Sequence, residues 1–267
     1  MTEKLMEIRD VTQRFRSAER EVVAVSRVSV QVDAGSVTCL VGESGSGKTT
    51  LARIAAGLDK PTAGSIHYQG QDISQLRGPD FMRFRREVQY VHQDPYASLN
   101  PTRTVLSTVL SALGARRNRT RRRATELLER VELTPADLFL ERYPHQLSGG
   151  QRQRVALARA LATEPALIIA DETTSMLDAS IRGSMINLLS ELRDDLGVGF
   201  LFITHDFTLA RHFAWRGRTA VLYLGELVEY GPTPEVMDTP RHAYTKALID
   251  ALPMIRFDDA DVPDGAP

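Results

Sequence analysis

The chain has 267 residues, room for one large or two small domains, and its 25% charged and 42% hydrophobic residues are ordinary for a soluble globular protein. A formal net charge of −1 provides no global field that would favour nucleic acid or an anionic membrane. The single cysteine, Cys39, excludes a disulfide framework and any all-cysteine iron–sulfur cluster within one chain.

The opening stretch Met1–Asp10 is interrupted by charges and no apolar core follows it, which is not the pattern of a signal peptide. No uninterrupted apolar run approaches the ~20 residues of a membrane span. The expectation is a cytoplasmic chain that meets a membrane only through a partner. Met6–Val11 and Val22–Val32 alternate apolar and polar residues and read as strands. Phe15, between them, is a candidate platform for a planar ring, because an aromatic ring offers its π-face. Stacking of that kind contributes about 1–3 kcal/mol. The plainer alternative is a core or surface aromatic.

Val37–Val41 is an apolar run expected to be a buried strand, with Cys39 as one of its core residues. It leads into GESGSGKTT at Gly42–Thr50, and Thr49–Leu58 then has helical spacing. Strand, glycine loop and helix in that order is the context of a phosphate loop, and Gly42–Thr49 fits G-x-x-x-x-G-K-T. Glycines let the backbone bend so that successive N–H groups point at phosphate oxygens, and the helix adds its positive end. Lys48 is expected to reach the β- and γ-phosphates, and the Thr49 hydroxyl to ligate magnesium.

Val88–His92 reads as another short strand. From about Thr102 to Leu161 the composition turns to Leu, Arg, Ala and Glu, which reads as a helical block inserted into an α/β core. Its run Arg116–Arg123 invites a nucleic-acid reading, but the amphipathic run Ala124–Val131 follows at once, and a solvated helical face is the default. Ser148, Gly149 and Gly150 precede a helix expected at Gln151–Leu161, so backbone N–H groups and a helix N-terminus form a second anion site.

Leu167–Ala170 and Phe200–Thr204 read as buried parallel strands, with a helix at Ile181–Leu196 between them. Asp171 follows the first of these strands and so faces the nucleotide crevice, where it can hold magnesium through water. Glu172 is then placed to polarise an attacking water. Val221–Tyr230 reads as a hairpin turning at Leu224-Gly225-Glu226. The tail 254–267 is acidic, rich in Pro and Gly, and expected to be disordered.

GESGSGKTT, LSGGQ at Leu147–Gln151 and ALIIADE at Ala166–Glu172 together resemble the ATP-binding subunits of ABC (ATP-binding cassette) proteins. The likeness runs from about Leu5 to Pro253. It implies an α/β fold: a P-loop NTPase core with an N-terminal antiparallel β subdomain and an inserted α-helical subdomain at about 102–161, in one domain spanning 1–253. It implies ATP and Mg2+ as cofactors. Nucleotide contacts would come from Phe15, Gly42, Glu43, Ser44, Gly45, Ser46, Gly47, Lys48, Thr49, Thr50 and Gln93, and metal contacts from Thr49, Gln93 and Asp171. Glu172 and His205 would be catalytic, with His205 binding the γ-phosphate and positioning Glu172 and water. Gln93 would sense the γ-phosphate and metal. The signature Leu147, Ser148, Gly149, Gly150 and Gln151 would cap the nucleotide held by an opposite subunit, and Asp178 would lie at the same seam.

HQDPYASLNP at His92–Pro101, ERYPHQLSGGQRQRVALARAL at Glu141–Leu161 and TPRHAYTKALIDALP at Thr239–Pro253 are similar to the oligopeptide/dipeptide importer group. The resemblance implies an ATPase powering uptake of peptides or a related small solute, on the cytoplasmic face of the membrane. Its partners would be a second ABC ATPase subunit (a related chain or a second copy), two transmembrane permeases and an extracytoplasmic solute-binding protein, with no nucleic acid. No cysteine lies near the C-terminus, so the chain resembles the cluster-free partner of the usual pair. It departs from the group where Thr173 and Met176 stand in DETTSMLD for Pro and Ala of DEPTSALD, and where Ala243 stands in HAYT for Pro.

Two alternatives remain open at this point. A soluble ABC ATPase accessory to phosphonate metabolism shares the same motifs. A DNA-repair ABC ATPase needs a long coiled-coil arm, and only about 55 residues separate Gln93 from Ser148.

Overall fold

The computed structural model describes residues 3–16, 21–92, 98–113, 120–173 and 179–251. The expectations for Gln93, Met176, Asp178, the Arg116–Arg119 half of the basic run and the acidic tail fall outside these residues.

Strands β1 (Lys4–Arg16) and β2 (Glu21–Asp33) pair antiparallel. β3 (Val37–Val41) and helix α1 (Lys48–Ala55) follow, as their apolar run and helical spacing predict. Next come β4 (Ala63–Tyr68), β5 (Gln71–Asp72), α2 (Gly78–Glu87) and β6 (Val88–Val91). The expected helical block contains α3 (Val105–Ala112), α4 (Arg121–Arg130), α5 (Asp137–Leu140) and α6 (Gly149–Leu161). β7 (Leu167–Asp171), α7 (Ala179–Leu196), β8 (Gly199–Thr204) and α8 (Phe207–Phe213) complete the αβ alternation. β9 (Arg218–Tyr223) and β10 (Glu226–Pro232) form the hairpin, and α9 (Thr233–Asp238) and α10 (Ala243–Asp250) end the described chain.

The strands make two sheets. One is antiparallel in the order β2-β1-β4-β5, and the other runs β10-β9-β3-β8-β7-β6, parallel except for the β9–β10 hairpin. The N-terminal antiparallel subdomain therefore draws two strands from beyond α1, which the sequence reading did not include. β4 was hidden because only Ile66 and Tyr68 in it are fully buried. α2 was hidden because it buries Phe84 alone, packed edge-on against Tyr68 at 5.5 Å.

The central parallel strands are apolar on both faces because both faces are covered. Residue parity sorts them: Cys39, Ile168, Phe200 and Phe202 face a core shared with α3, α4, α6, α7 and α8. Leu40, Leu167, Ile169, Leu201 and Ile203 face a second core shared with α1 and the antiparallel sheet. Phe213 of α8 packs edge-on against both Phe200 and Phe202, at 5.3 and 5.2 Å between centroids. Cys39 is fully buried, as expected. In the described part of the basic run, Arg121 pairs with Glu141 (2.6 Å) and Arg122 with Glu126 (3.1 Å), the exposed ion pairs of a solvated face.

Candidate functional site

The site sits at the carboxyl ends of β3, β7 and β8, where a parallel sheet leaves its crevice. β3 ends at Val41, and the chain loops through Gly42–Gly47 into α1. Two glycines here are required by close approach. A Cβ on Gly42 (φ 147°) would collide with the Leu222 carbonyl oxygen, and one on Gly47 (φ 99°) with that of Ala24. The loop is also tied to the hairpin. Leu224 and Gly225 both have positive φ, 48° and 83°, as a tight two-residue turn demands. The Gly225 N–H donates to the Ser46 carbonyl at 3.2 Å, and the Gly225 carbonyl accepts from the Ser26 N–H at 2.8 Å.

Lys48 is 4% exposed, and its ammonium donates to the carbonyls of Gly42 and Glu43, both at 2.7 Å. Burial lowers its pKa, opposed by the carboxylates of Glu172, Asp171 and Glu43. Glu43, Ser44, Gly45 and Thr49 are exposed along the loop's mouth, whereas Gly42 and Ser46 are buried and Thr50 half-buried. Phe15 keeps its ring half exposed opposite Val22 in β2, two residues from the Ala24 carbonyl that meets Gly47.

Asp171 ends β7 and is almost fully buried. Thr49 Oγ1 donates to its Oδ1 at 3.1 Å and the Tyr90 hydroxyl to its Oδ2 at 2.5 Å. Burial raises the carboxyl pKa, and the hydrogen bonds from Tyr90 and Thr49 pull it back. Tyr90 was not anticipated. It is a phenol in the short strand Val88–Val91, but only the β6–β7 pairing, with Tyr90 opposite Ile169, reveals that it reaches Asp171.

Glu172 holds a left-handed backbone at φ 44°, uncommon for a residue with a side chain, and its N–H donates to the Ile203 carbonyl at 2.9 Å. Such strain persists only where neighbours over-determine it. His205 sits in the turn between β8 and α8, its Nδ1 3.7 Å from Glu172 Oε1. That turn is fixed by Asp206, which caps α8 by accepting the N–H groups of Thr208 (2.9 Å) and Leu209 (3.2 Å). Gly42, Glu43, Ser44, Glu172, His205, Phe207 and Leu248 line one open cleft of about 420 Å3. Phe207, on α8, and Leu248, on α10, are further residues that sequence reasoning did not place here.

The Leu147–Gln151 segment does not line this cleft. Leu147 is buried in the helical-side core. Ser148 caps α6: its Oγ accepts the Gln151 N–H (3.2 Å) while Gln151 Oε1 accepts the Ser148 N–H (3.0 Å). The first-turn N–H groups at Gly149 and Gly150 have no partner within the helix, which is what an anion site needs. Thr173, where the importer group has proline, is 6% exposed, and its hydroxyl and the Gln153 side-chain nitrogen are both buried with no hydrogen-bond partner among the described residues. Both line a narrow void between α6 and α7.

A glycine loop joining a parallel strand to a helix, with an acid at the end of a nearby strand, defines a P-loop nucleotide-binding fold. Comparison with known proteins goes further. The family described as "ABC transporter" matches residues 25–175, and "Oligopeptide/dipeptide transporter, C-terminal region" matches residues 228–265. The chain belongs to the ABC transporter family and has its ATPase cassette fold. It is 41% identical over 263 residues to the glutathione import ATP-binding protein GsiA of Pectobacterium atrosepticum, covering 94% of this chain and 42% of that relative. It is 42% identical over the same length, with the same coverage, to GsiA of Escherichia coli strain K12. The chain thus spans less than half the length of these curated relatives. A solved structure of the ATP-binding cassette MJ0796, a dimer in a post-hydrolysis state bound to ADP and Pi, superposes with a TM-score of 0.76. The identity there is 33%, over 86% of this chain and 99% of that one. Among the described residues, no helix is long and apolar enough to cross a membrane.

Proposed function

We propose that this chain is the ATP-binding and ATP-hydrolysing subunit of an ABC importer, a single ATP-binding domain over residues 1–253 with its helical insert at about 102–161. Its partners are a second ATPase subunit, two permeases and a solute-binding protein, and it works on the cytoplasmic face of the membrane. One observation carries the reading: the Thr49–Asp171 hydrogen bond of 3.1 Å, which joins the phosphate loop to the acid of a neighbouring strand beside Glu172 and His205. The matched C-terminal region and the relatives named for glutathione import support peptides or a related small solute as the cargo.

The amides of Gly42–Thr50 and the Lys48 ammonium bind and orient the phosphates, with Phe15 beneath the base. Thr49 and Asp171 offer hard oxygen donors, one of them a buried carboxylate, and this set fits Mg2+, which is held by few protein oxygens and completed by phosphate and water. Gln93 is the further candidate ligand. Mg2+ supplies charge neutralisation at the phosphate oxygens. Glu172 holds the attacking water and takes its proton on the carboxylate, and His205 orients both. The signature amides of Ser148–Gly150 serve the partner's nucleotide, and Asp178 belongs to the same seam.

Lys48→Ala removes the charge that offsets phosphate charge in a partly dehydrated loop. Affinity of the isolated chain should fall for both ATP and ADP by about tenfold or more, since a charge-assisted hydrogen bond contributes roughly 1.5–3 kcal/mol. A nucleotide titration checks this, and unchanged affinity would remove Gly42–Thr50 from the role of phosphate cradle. Tyr90→Phe strips one donor from Asp171 and should raise the Mg2+ concentration needed for half-maximal nucleotide binding by about 10- to 100-fold, the usual cost of losing an outer-shell partner. A binding titration against Mg2+, with no turnover, reads the shift; no shift would mean that Tyr90 does not orient this carboxylate.

A further inference from the structure

The C-terminal segment that matches the oligopeptide/dipeptide region reaches the phosphate loop. The Glu43 N–H donates to the Tyr244 hydroxyl at 3.2 Å. The segment arrives there by a defined route. The Glu229 carboxylate of β10 accepts the N–H groups of Arg241 (2.7 Å) and His242 (3.2 Å). His242 Nδ1 then caps α10 by accepting the Tyr244 N–H at 3.2 Å. The Tyr244 ring lies against Tyr223, 4.1 Å between centroids, at the end of β9. One turn further along α10, Leu248 lines the cleft with Glu172 and His205.

We infer that Tyr244 is a positioning residue of the nucleotide site: its hydroxyl fixes the first turn of the phosphate loop, and α10 makes the C-terminal segment one wall of that site. This rests on the nucleotide-binding reading above. Besides the bonds from Lys48 to the Gly42 and Glu43 carbonyls, residues from outside the loop hold it at Glu43, through Tyr244, and at Ser46, through Gly225. Between them lie Ser44 and Gly45, both exposed, with Gly45 at φ 83°. A glycine-containing loop free to wander must be ordered when phosphate arrives, and ordering it beforehand removes that cost from binding. Glu43 is the second residue of the loop, so its amide can be given to Tyr244 while the later amides turn toward phosphate.

The test uses the full chain and Tyr244→Phe, which keeps the ring against Tyr223 and deletes only the acceptor. Two quantities are measured: affinity for ATP and ADP, and hydrogen exchange of individual amides. Both nucleotides should bind about two- to tenfold more weakly, the range expected for one lost hydrogen bond. The Glu43 amide should exchange faster while those of Val37–Val41 stay protected. Unchanged affinity, or an unchanged Glu43 amide, overturns the inference. So does faster exchange throughout Val37–Val41, since Tyr244 would then be supporting the fold rather than the loop. Lys48→Ala separates the two readings. If wild-type affinity depends on Lys48 and Tyr244→Phe equals wild type, only this inference fails. If wild type does not bind nucleotide, both fail.

Discussion

Glu172→Gln should cut ATP turnover by about 10²- to 10⁴-fold, the usual contribution of a general base, while ATP still binds. The phosphate contacts come from Gly42–Thr50 and do not involve this side chain. The substitution is nearly isosteric, so the left-handed backbone at residue 172 (φ 44°) and its N–H bond to Ile203 should persist. What disappears is the carboxylate that takes the water's proton beside His205 Nδ1, 3.7 Å away. ATP-bound pairs of subunits should therefore accumulate. Turnover measured in the assembled complex, together with sedimentation in ATP, reads both effects. Near-normal turnover would take Glu172 out of the reaction.

Ser148→Arg should abolish ATP-driven pairing, and turnover with it, yet leave ATP affinity of the isolated chain within about twofold of wild type. Residues Leu147–Gln151 are not among those that line the cleft of Glu172 and His205, and on the two-half-site reading a bulky cation there meets the partner's nucleotide rather than the chain's own. It would instead occupy the space where a partner's γ-phosphate meets the first turn of α6. Losing the Ser148 cap costs about 1 kcal/mol of helix stability in any variant, and a cation at a helix N-terminus adds roughly 0.3–1 kcal/mol. Ser148→Ala is the control, because it loses the cap without adding bulk or charge. Pairing is read most cleanly in the Glu172→Gln background, where ATP is not consumed. Loss of ATP affinity by the monomer would overturn the idea that the two half-sites serve different nucleotides.

The strands around the site were legible because burial on both faces leaves a plain signature. Val37–Val41, Leu167–Ala170 and Phe200–Thr204 read as short apolar runs and are β3, β7 and β8 to within a residue at either end. The hairpin turn, read at Leu224-Gly225-Glu226, was legible because tight turns restrict residue choice, although Glu226 already belongs to β10. β4 and α2 were not, because each buries one or two side chains and carries no sustained period. Of the candidate residues, Glu172, His205 and Gly42–Ser44 were placed by motif and the fold brings them to one cleft, while Asp171, placed in the same way, bonds Thr49 behind it.

The sequence by itself determined the chemistry on offer: a glycine loop with lysine and threonine, an acid pair after an apolar strand, a histidine after another, and a serine-capped glycine pair. Each is local, fixed by spacing along a few residues, so it survives in one dimension. The tertiary structure alone decided which distant side chains complete the site. Tyr90 reaches Asp171 across 81 positions in sequence, and Tyr244 reaches Glu43 across 201. Such pairs carry no local pattern, because strand order in the sheet and the return of the chain through β10 and α10 set them. Neither is written in the residues that finally touch.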